Sequence, residues 1–115
     1  MIHSHNIKLD IISSIPVMYI EGDLTSDANA DTNSVYLNIK EKHSSKKLII
    51  NFEQTKYMNS SGIAILLYII QDVQEQDGAI AFVGMSSHLE KIINIIGISD
   101  LIPMYPSNAE AIKAL

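Results

Sequence analysis

Hydrophobic and polar positions alternate near the start of the chain with the period of a β-strand. In the segment IKLDI (7–11), Ile7, Leu9 and Ile11 fall on one side, and Lys8 and Asp10 fall on the other. This alternation is typical of a half-buried edge strand. The next segment, SSIP, predicts a turn, and VMYIEG (17–22) predicts the returning strand. We therefore expect the chain to open with an antiparallel hairpin.

The rest of the chain alternates between helical segments and short apolar runs. The runs KLIINF (47–52) and AIAFVG (79–84) are typical of strands covered on both faces, and LIPMY (101–105) predicts a short last strand. Helices are predicted from about Ala28 to Lys42, although the period there is ambiguous, and over Ile63–Gln76, 86–96 and 107–115.

The last two predicted helices carry local start and stop signals. The pairs Ser87/Glu90 and Ser107/Glu110 have the spacing of a capping box, and Gly97 is typical of a helix stop. These signals fix where the helices are expected to begin and end.

The most apolar segment, Ile63–Ile70, predicts one face of a buried helix. A stripe with helical spacing is formed by Ile63, Leu66, Leu67, Ile70 and Val73. Three apolar residues fall outside this stripe: Ile65, Tyr68 and Ile69. Either they form a patch for a partner, or the helix is buried on two sides by its neighbours.

The order of elements predicts the fold class. After the hairpin, each strand–helix–strand step requires a parallel pairing, so we expect one α/β domain over residues 1–115. It should contain a mixed sheet, with an antiparallel first strand followed by parallel strands, and four helices. In such sheets, functional groups gather beyond the carboxyl ends of the strands.

Composition narrows the function classes. The chain is 47% hydrophobic and 18% charged, its net charge is −5, and all eight basic residues are lysines. An acidic chain without arginine lacks the side chain best suited to phosphate and guanine recognition, so nucleic acid is not expected as a partner. Without cysteine it has no disulfide, thiolate metal ligand or cysteine nucleophile.

The longest apolar run is too short to span a bilayer and MIHSHNIKLD lacks a signal-peptide layout, which predicts a cytoplasmic protein without a membrane partner.

A small polar segment, KYMNSSGI (56–63), interrupts the apolar sequence at the expected end of a strand. If Asn59 is the N-cap of the next helix, its side chain accepts from the N–H of Ser61 or Gly62, and Met58 packs on Ile63. Ser60 is then the first helical residue.

At that position the hydroxyl of Ser60 lies at the positive end of a helix, where a phosphate attached to it would be stabilised. Gly62, which has no Cβ, leaves the approach uncrowded. The alternative interpretation is that Asn-Ser-Ser-Gly is only a good helix start.

Other candidate sites carry weaker signals. His3 and His5 have a chelating spacing without further ligands, so no metal site or cofactor is predicted. Asp23 and Glu53 are expected at the same rim of the sheet, but no nucleophile or oxyanion signature accompanies them. An enzyme is therefore not predicted.

Over nearly its whole length the sequence resembles the STAS domains of bacterial anti-sigma-factor antagonists. The similar segments are GDLTSDAN (22–29), LIINFEQTKYMNSSGIAILL (48–67) and the C-terminal stretch from AFVGMSS to AIKAL (81–115). The family's Asp before the phosphorylated serine is replaced here by Asn59, and a common Asp at the end of the preceding strand is replaced by Asn51.

The resemblance implies a partner switch without catalysis of its own. Unmodified antagonists bind an anti-sigma factor that is a serine kinase with a histidine-kinase-like ATPase fold. Phosphorylation releases them, and a serine phosphatase resets them. The acceptor maps to Ser60. The expected partner-binding residues are Asp23, Thr25, Met58, Asn59, Ser61, Gly62 and Ile65. The alternative function is a STAS module that binds a nucleotide or anion at the Ser60 helix, or that serves as a regulatory scaffold.

Overall fold

The computed structural model, which describes residues 4–43 and 46–115, opens with the expected hairpin. Strand β1 (His5–Ile12) pairs antiparallel with β2 (Ile15–Leu24). Ser13 and Ser14, in the turn between them, have positive φ angles of 51° and 67°, which match the twist of a tight hairpin. β1 lies at the edge of the sheet, and Ile7 and Leu9 pack against the main core.

The remaining strands confirm the mixed sheet. Strand β3 (Lys47–Asn51) is parallel to β2 and to β5 (Ala79–Val83), which is parallel in turn to β6 (Met104–Tyr105). The last strand is shorter than predicted, because Ile98–Asp100 form a 3-10 helix and Pro103 has no N–H for the ladder. The carbonyl of Pro103 still accepts a hydrogen bond from the N–H of Phe82 at 3.0 Å.

Strand β4 (Thr55–Met58) was not predicted from the sequence. It pairs in parallel with Gly22–Leu24 of β2, on the side of β2 that faces away from β1. Its four residues read buried, exposed, exposed, buried, so they lack the alternation that identifies a half-buried strand. The strand is held partly by the hydroxyl of Thr55, which donates to the carbonyl of Ile20 at 2.5 Å.

Four helices complete the domain, as predicted. They are α1 (Ser26–Lys42), α2 (Ser60–Glu75), α3 (Ser87–Ile96) and α4 (Asn108–Ala114), so α1 begins two residues earlier than expected. The predicted cap of α3 was wrong, since Ser86 and not Ser87 accepts from the helix, at Leu89 N. The cap at Ser107 and the left-handed Gly97 are confirmed.

The helices lie on both faces of the sheet. α1, α2 and α3 contribute to the main core on one face, through residues such as Tyr36, Leu66 and Ile93. On the other face α4 covers a smaller cluster that includes Val17, Ile49 and Ala111. Because β2–β6 run in the same direction, their carboxyl ends share one edge of the sheet, where α2 begins.

The apolar stripe of α2 is rotated from the predicted one. Leu66, Ile70 and Val73 are buried as expected, but Leu67 is 40% exposed and Ile69 is fully buried. Both assignments were wrong because nearly every residue from Ile63 to Ile70 is apolar, so several stripes fit the sequence equally well. Tyr68, placed outside the stripe, is 47% exposed.

Candidate functional site

Ser60 occupies the first position of α2, and its side chain is exposed. The preceding residue, Asn59, has extended backbone geometry and is the N-cap, as predicted. Its side-chain oxygen accepts from the N–H of Gly62 at 3.1 Å. The hydroxyl of Ser60 therefore lies at the positive end of a 16-residue helix without serving as its cap.

Gly62 allows the start of α2 to pack directly on the end of β2. A Cβ at this position would lie 2.1 Å from the carbonyl oxygen of Leu24, a distance that no side chain tolerates. The same carbonyl accepts from the N–H of Asn59 at 3.3 Å. The N-terminus of α1 joins this contact, because the amide of Asn29 donates to the carbonyl of Ser61 at 3.3 Å. Contacts among β2, α1 and α2 therefore fix the position of Ser60.

Asp23 and Glu53 lie at the same edge of the sheet, as predicted. Asp23 is the last residue but one of β2, and Glu53 is the second residue after β3. Glu53 is fixed by Asn51, whose side-chain oxygen accepts the N–H of Glu53 and whose amide donates to the Glu53 carboxylate, both at 2.9 Å. The edge that carries Ser60 therefore holds two carboxylates, together with the exposed Lys56 of β4.

Asn51 has a structural reason to be an amide. It is 2% exposed, and besides Glu53 its NH₂ group donates to the side-chain oxygen of Asn108 at 2.9 Å. Asn108 in turn donates to the hydroxyl of Tyr19 at 3.0 Å. A carboxylate at position 51 has no N–H to donate and would face the charge of Glu53.

The other residues predicted to bind a partner surround Ser60 at different depths. Asp23, Asn59, Ser61 and Ile65 are partly exposed, whereas Thr25, Met58 and Gly62 are buried. Thr25 is the N-cap residue of α1 but makes no side-chain capping bond. The structure brings all seven residues to the region where β2 and β4 meet α1 and α2.

Exposed apolar residues near this region were missed by the sequence. Leu67 on α2 and Tyr57 on β4 are 40% and 48% exposed. Leu67 follows Ser60 by seven residues and so lies on the same face of the helix. No local sequence signal identifies Leu67, because its exposure depends on the contact of Gly62 with Leu24, which is distant in sequence.

Neither a membrane span nor a metal site is found in residues 4–43 and 46–115. No helix there has the length and apolar character needed to cross a membrane, and no cluster of three potential metal ligands occurs. His3 lies outside the described residues. His5 contacts the carboxylate of Asp31 at 2.7 Å and so links β1 to α1.

The chain is similar to known proteins in both sequence and structure. The family model of the STAS domain matches residues 6–111. An anti-sigma factor antagonist from Mycobacterium paratuberculosis superposes with a TM-score of 0.86 at 17% identity, over 97% of this chain and 94% of the other. The phosphorylated Bacillus cell-fate determinant SpoIIAA gives 0.76 at 20% identity, over 95% and 98%. A STAS domain protein from Planctomyces limnophilus gives 0.79 at 21% identity, over 94% and 95%.

Proposed function

The chain belongs to the STAS domain family, and from that premise we propose that it is an anti-sigma-factor antagonist that works by partner switching. In its unmodified form it binds an anti-sigma factor that is also a serine kinase with a histidine-kinase-like ATPase fold. Phosphorylation of Ser60 releases it, and a serine phosphatase restores the binding form. The protein regulates sigma-factor-dependent transcription in the cytoplasm and carries no catalysis of its own.

The observation that carries this proposal is the position of Ser60. The residue is exposed at the first position of a long helix whose cap is supplied by its neighbour Asn59. Its hydroxyl can therefore be modified without loss of the cap, and a phosphate there interacts favourably with the helix dipole. The fold remains intact in both states, as a reversible switch requires.

The charge around Ser60 explains how a phosphate would act on a partner. Phosphorylation adds about −1.5 to −2 charges at neutral pH. The new charge joins Asp23 and Glu53 at the same edge, and the chain has no arginine to neutralise it. Because each ~1.4 kcal/mol of lost interface energy weakens binding tenfold, modest repulsion is enough for release.

The binding surface in this proposal consists of an exposed centre on a buried support. Ser60, Ala64 and Leu67 are exposed and follow one another on the outer face of α2, with Tyr68 beside them. Asn59, Ser61 and Ile65 line the partly buried border. Thr25, Met58 and Gly62 lie beneath and hold the surface in place.

The proposal is tested by recovery of the kinase and direct detection of the phosphoryl group. The wild-type chain is used to capture its kinase from the cytosol of its source. After incubation of the chain with that kinase and ATP, intact-mass spectrometry should show one added phosphoryl group located on Ser60. The Ser60→Ala chain should capture the same kinase but gain no mass.

Modification at another residue, or no modification by a kinase that does bind, would contradict the switch. The second result would favour the alternative of a ligand-binding or scaffolding STAS module.

A further inference from the structure

Helices α1 and α2 form a groove that leads away from Ser60. The helices run in the same direction, since Asn29 contacts Ser61 near both starts while Tyr36 and Lys40 contact Asp72 further along. We define the α1–α2 groove by the residues that face each other along it. Contacts across the groove join Asn29, Tyr36 and Lys40 of α1 to Ser61, Tyr68 and Asp72 of α2. Helical spacing places Asn33 and Ile65 in the same two rows.

The half of the groove far from Ser60 is fully hydrogen-bonded. A single oxygen of Asp72 accepts from the hydroxyl of Tyr36 at 2.6 Å and from Lys40 at 2.8 Å. The amide of Gln76 donates to the same oxygen at 2.9 Å. This end therefore closes the groove and fixes the distance between the helices.

The half near Ser60 contains acceptors without donors. Among the described residues, three buried side-chain oxygens have no hydrogen-bond partner, and they belong to Thr25, Asn29 and Asn33. Their spacing of four residues places them along one side of α1, about 6 Å apart. Buried oxygens without partners reduce stability, so their presence in one row beside Ser60 requires an explanation.

The chemistry of this row defines what it would bind. Amide oxygens only accept hydrogen bonds, so the missing groups are N–H or O–H donors. Tyr68, 47% exposed in the same groove, offers an aromatic face on which a guanidinium group stacks. The charge at the start of α1 also favours a cation, because Asp23 and Asp27 flank the N-cap residue Thr25 and the helix has no lysine before Lys40.

We propose that the α1–α2 groove is a second part of the kinase-binding surface, in which the side-chain oxygen of Asn33 accepts a hydrogen bond from an arginine side chain of the partner. This inference rests on the function proposed above. Asn33 is partly exposed, and the last torsion of asparagine is soft, so a turn of its amide brings the oxygen to the surface. The amide of Asn29 stays in place, because it donates to the carbonyl of Ser61. The arginine stacks on Tyr68 and extends the contact beyond Ser60.

Asn33 allows a direct test, because a structural role and a binding role predict opposite effects. Asn33→Leu removes a buried oxygen without a partner and should raise the melting temperature. It should also weaken kinase binding about tenfold or more, since it removes an acceptor for a charged donor. Asn38→Leu, an exposed change on another face of the same helix, is the matched control and should alter neither quantity. Asn33→Ala should weaken binding likewise if leucine disturbs the fold.

Calorimetric titration of the captured kinase into these variants and into Ser60→Asp separates the two proposals. If Ser60→Asp weakens binding while Asn33→Leu and Asn33→Ala bind like the wild type, the groove proposal alone is overturned. If the wild-type chain binds no serine kinase, both proposals are overturned together.

Discussion

Asn59 stabilises the start of α2 but places no carboxylate beside Ser60. Its side chain caps α2 by accepting the N–H of Gly62 at 3.1 Å, and an aspartate would do the same. The difference is the carboxylate charge beside Ser60, which the resembled family has and this chain lacks. Asparagine therefore preserves the geometry of the site but not its full electrostatics.

We predict that Asn59→Asp keeps the fold and raises the rate of phosphorylation by the kinase. The added carboxylate can orient the hydroxyl of Ser60, and an acid at the N-cap interacts favourably with the helix dipole. Timed intact-mass measurements on the two chains give the rates. An equal or slower rate would show that the carboxylate has no such role here.

Gly62 is the residue that fixes α2 against β2. A Cβ there would meet the carbonyl oxygen of Leu24 at 2.1 Å, so Gly62→Ala should destabilise the domain by about 1–3 kcal/mol. Urea unfolding of this variant and of Ser61→Ala, a control in the same turn expected within about 0.5 kcal/mol of wild type, measures the effect. A stable Gly62→Ala domain would mean that α2 shifts freely at its start.

At the scale of single residues, the sequence correctly predicted the positions that depend only on local helix-start preferences. Asn59 as the cap and Ser60 as the first helical residue follow from the preferences of helix starts. The exposure of Leu67 and the burial of Ile69 depend on how α2 rotates against the sheet. That rotation is set by the contact of Gly62 with Leu24, which is distant in sequence.

At the scale of elements, helices α1 and α2 are joined by the Asp72 cluster. The ion pair with Lys40 and the hydrogen bond from Tyr36 hold the pKa of Asp72 below its usual value of 3.8. Burial, together with the bond to Asp72, raises the pKa of Tyr36 above its ordinary range. The carboxylate is thus the charged centre that the surrounding donors require.

We predict that Asp72→Asn lowers stability at neutral pH, by about 1 kcal/mol, and that the difference shrinks in acid. Because the folded-state pKa of Asp72 lies below its ordinary value, its contribution is present above about pH 4 and is lost as the pH falls through the folded-state pKa. Urea unfolding at about pH 7 and about pH 2.5 measures both differences.

Asp77→Asn, in the exposed turn after α2, is the control for charge alone and should leave stability within about 0.5 kcal/mol of the wild type. A difference for Asp72→Asn that does not change with pH would contradict this account of the Asp72 cluster.

The elements themselves differ in how well the sequence reveals them. The hairpin, the buried strands and helices α2, α3 and α4 follow from hydrophobic periodicity and capping residues. Helix α1 was predicted from its length and from the strands expected on either side, because its period is ambiguous. Strand β4 was not predicted, because its four residues have no alternation and it exists only through pairing with Gly22–Leu24. The α1–α2 groove could not be predicted from the sequence either, because its contacts join residues that are 32 and 36 positions apart.

At the scale of the whole molecule, charge is divided between the two ends of the sheet. Half of the eight lysines lie between residues 40 and 47, at the end of α1 and the start of β3. Ser60 lies at the opposite edge with Asp23, Glu53 and the exposed Lys56 of β4. A phosphate on Ser60 therefore adds negative charge to an edge where carboxylates already outnumber this lysine.

The measurement that tests the central claim most directly is calorimetric titration of the kinase into Ser60→Asp, with Ser87→Asp as the matched control. Both serines are exposed and occupy the first position of a helix capped by its neighbour, so both substitutions add the same charge without removing a cap. Each should leave the melting temperature unchanged or slightly raised, because an acid there interacts favourably with the helix dipole.

The account predicts that Ser60→Asp weakens kinase binding about tenfold or more while Ser87→Asp binds like the wild type. Equal affinity of the two variants would contradict it, because Ser60 would then be only a structural residue at the start of α2.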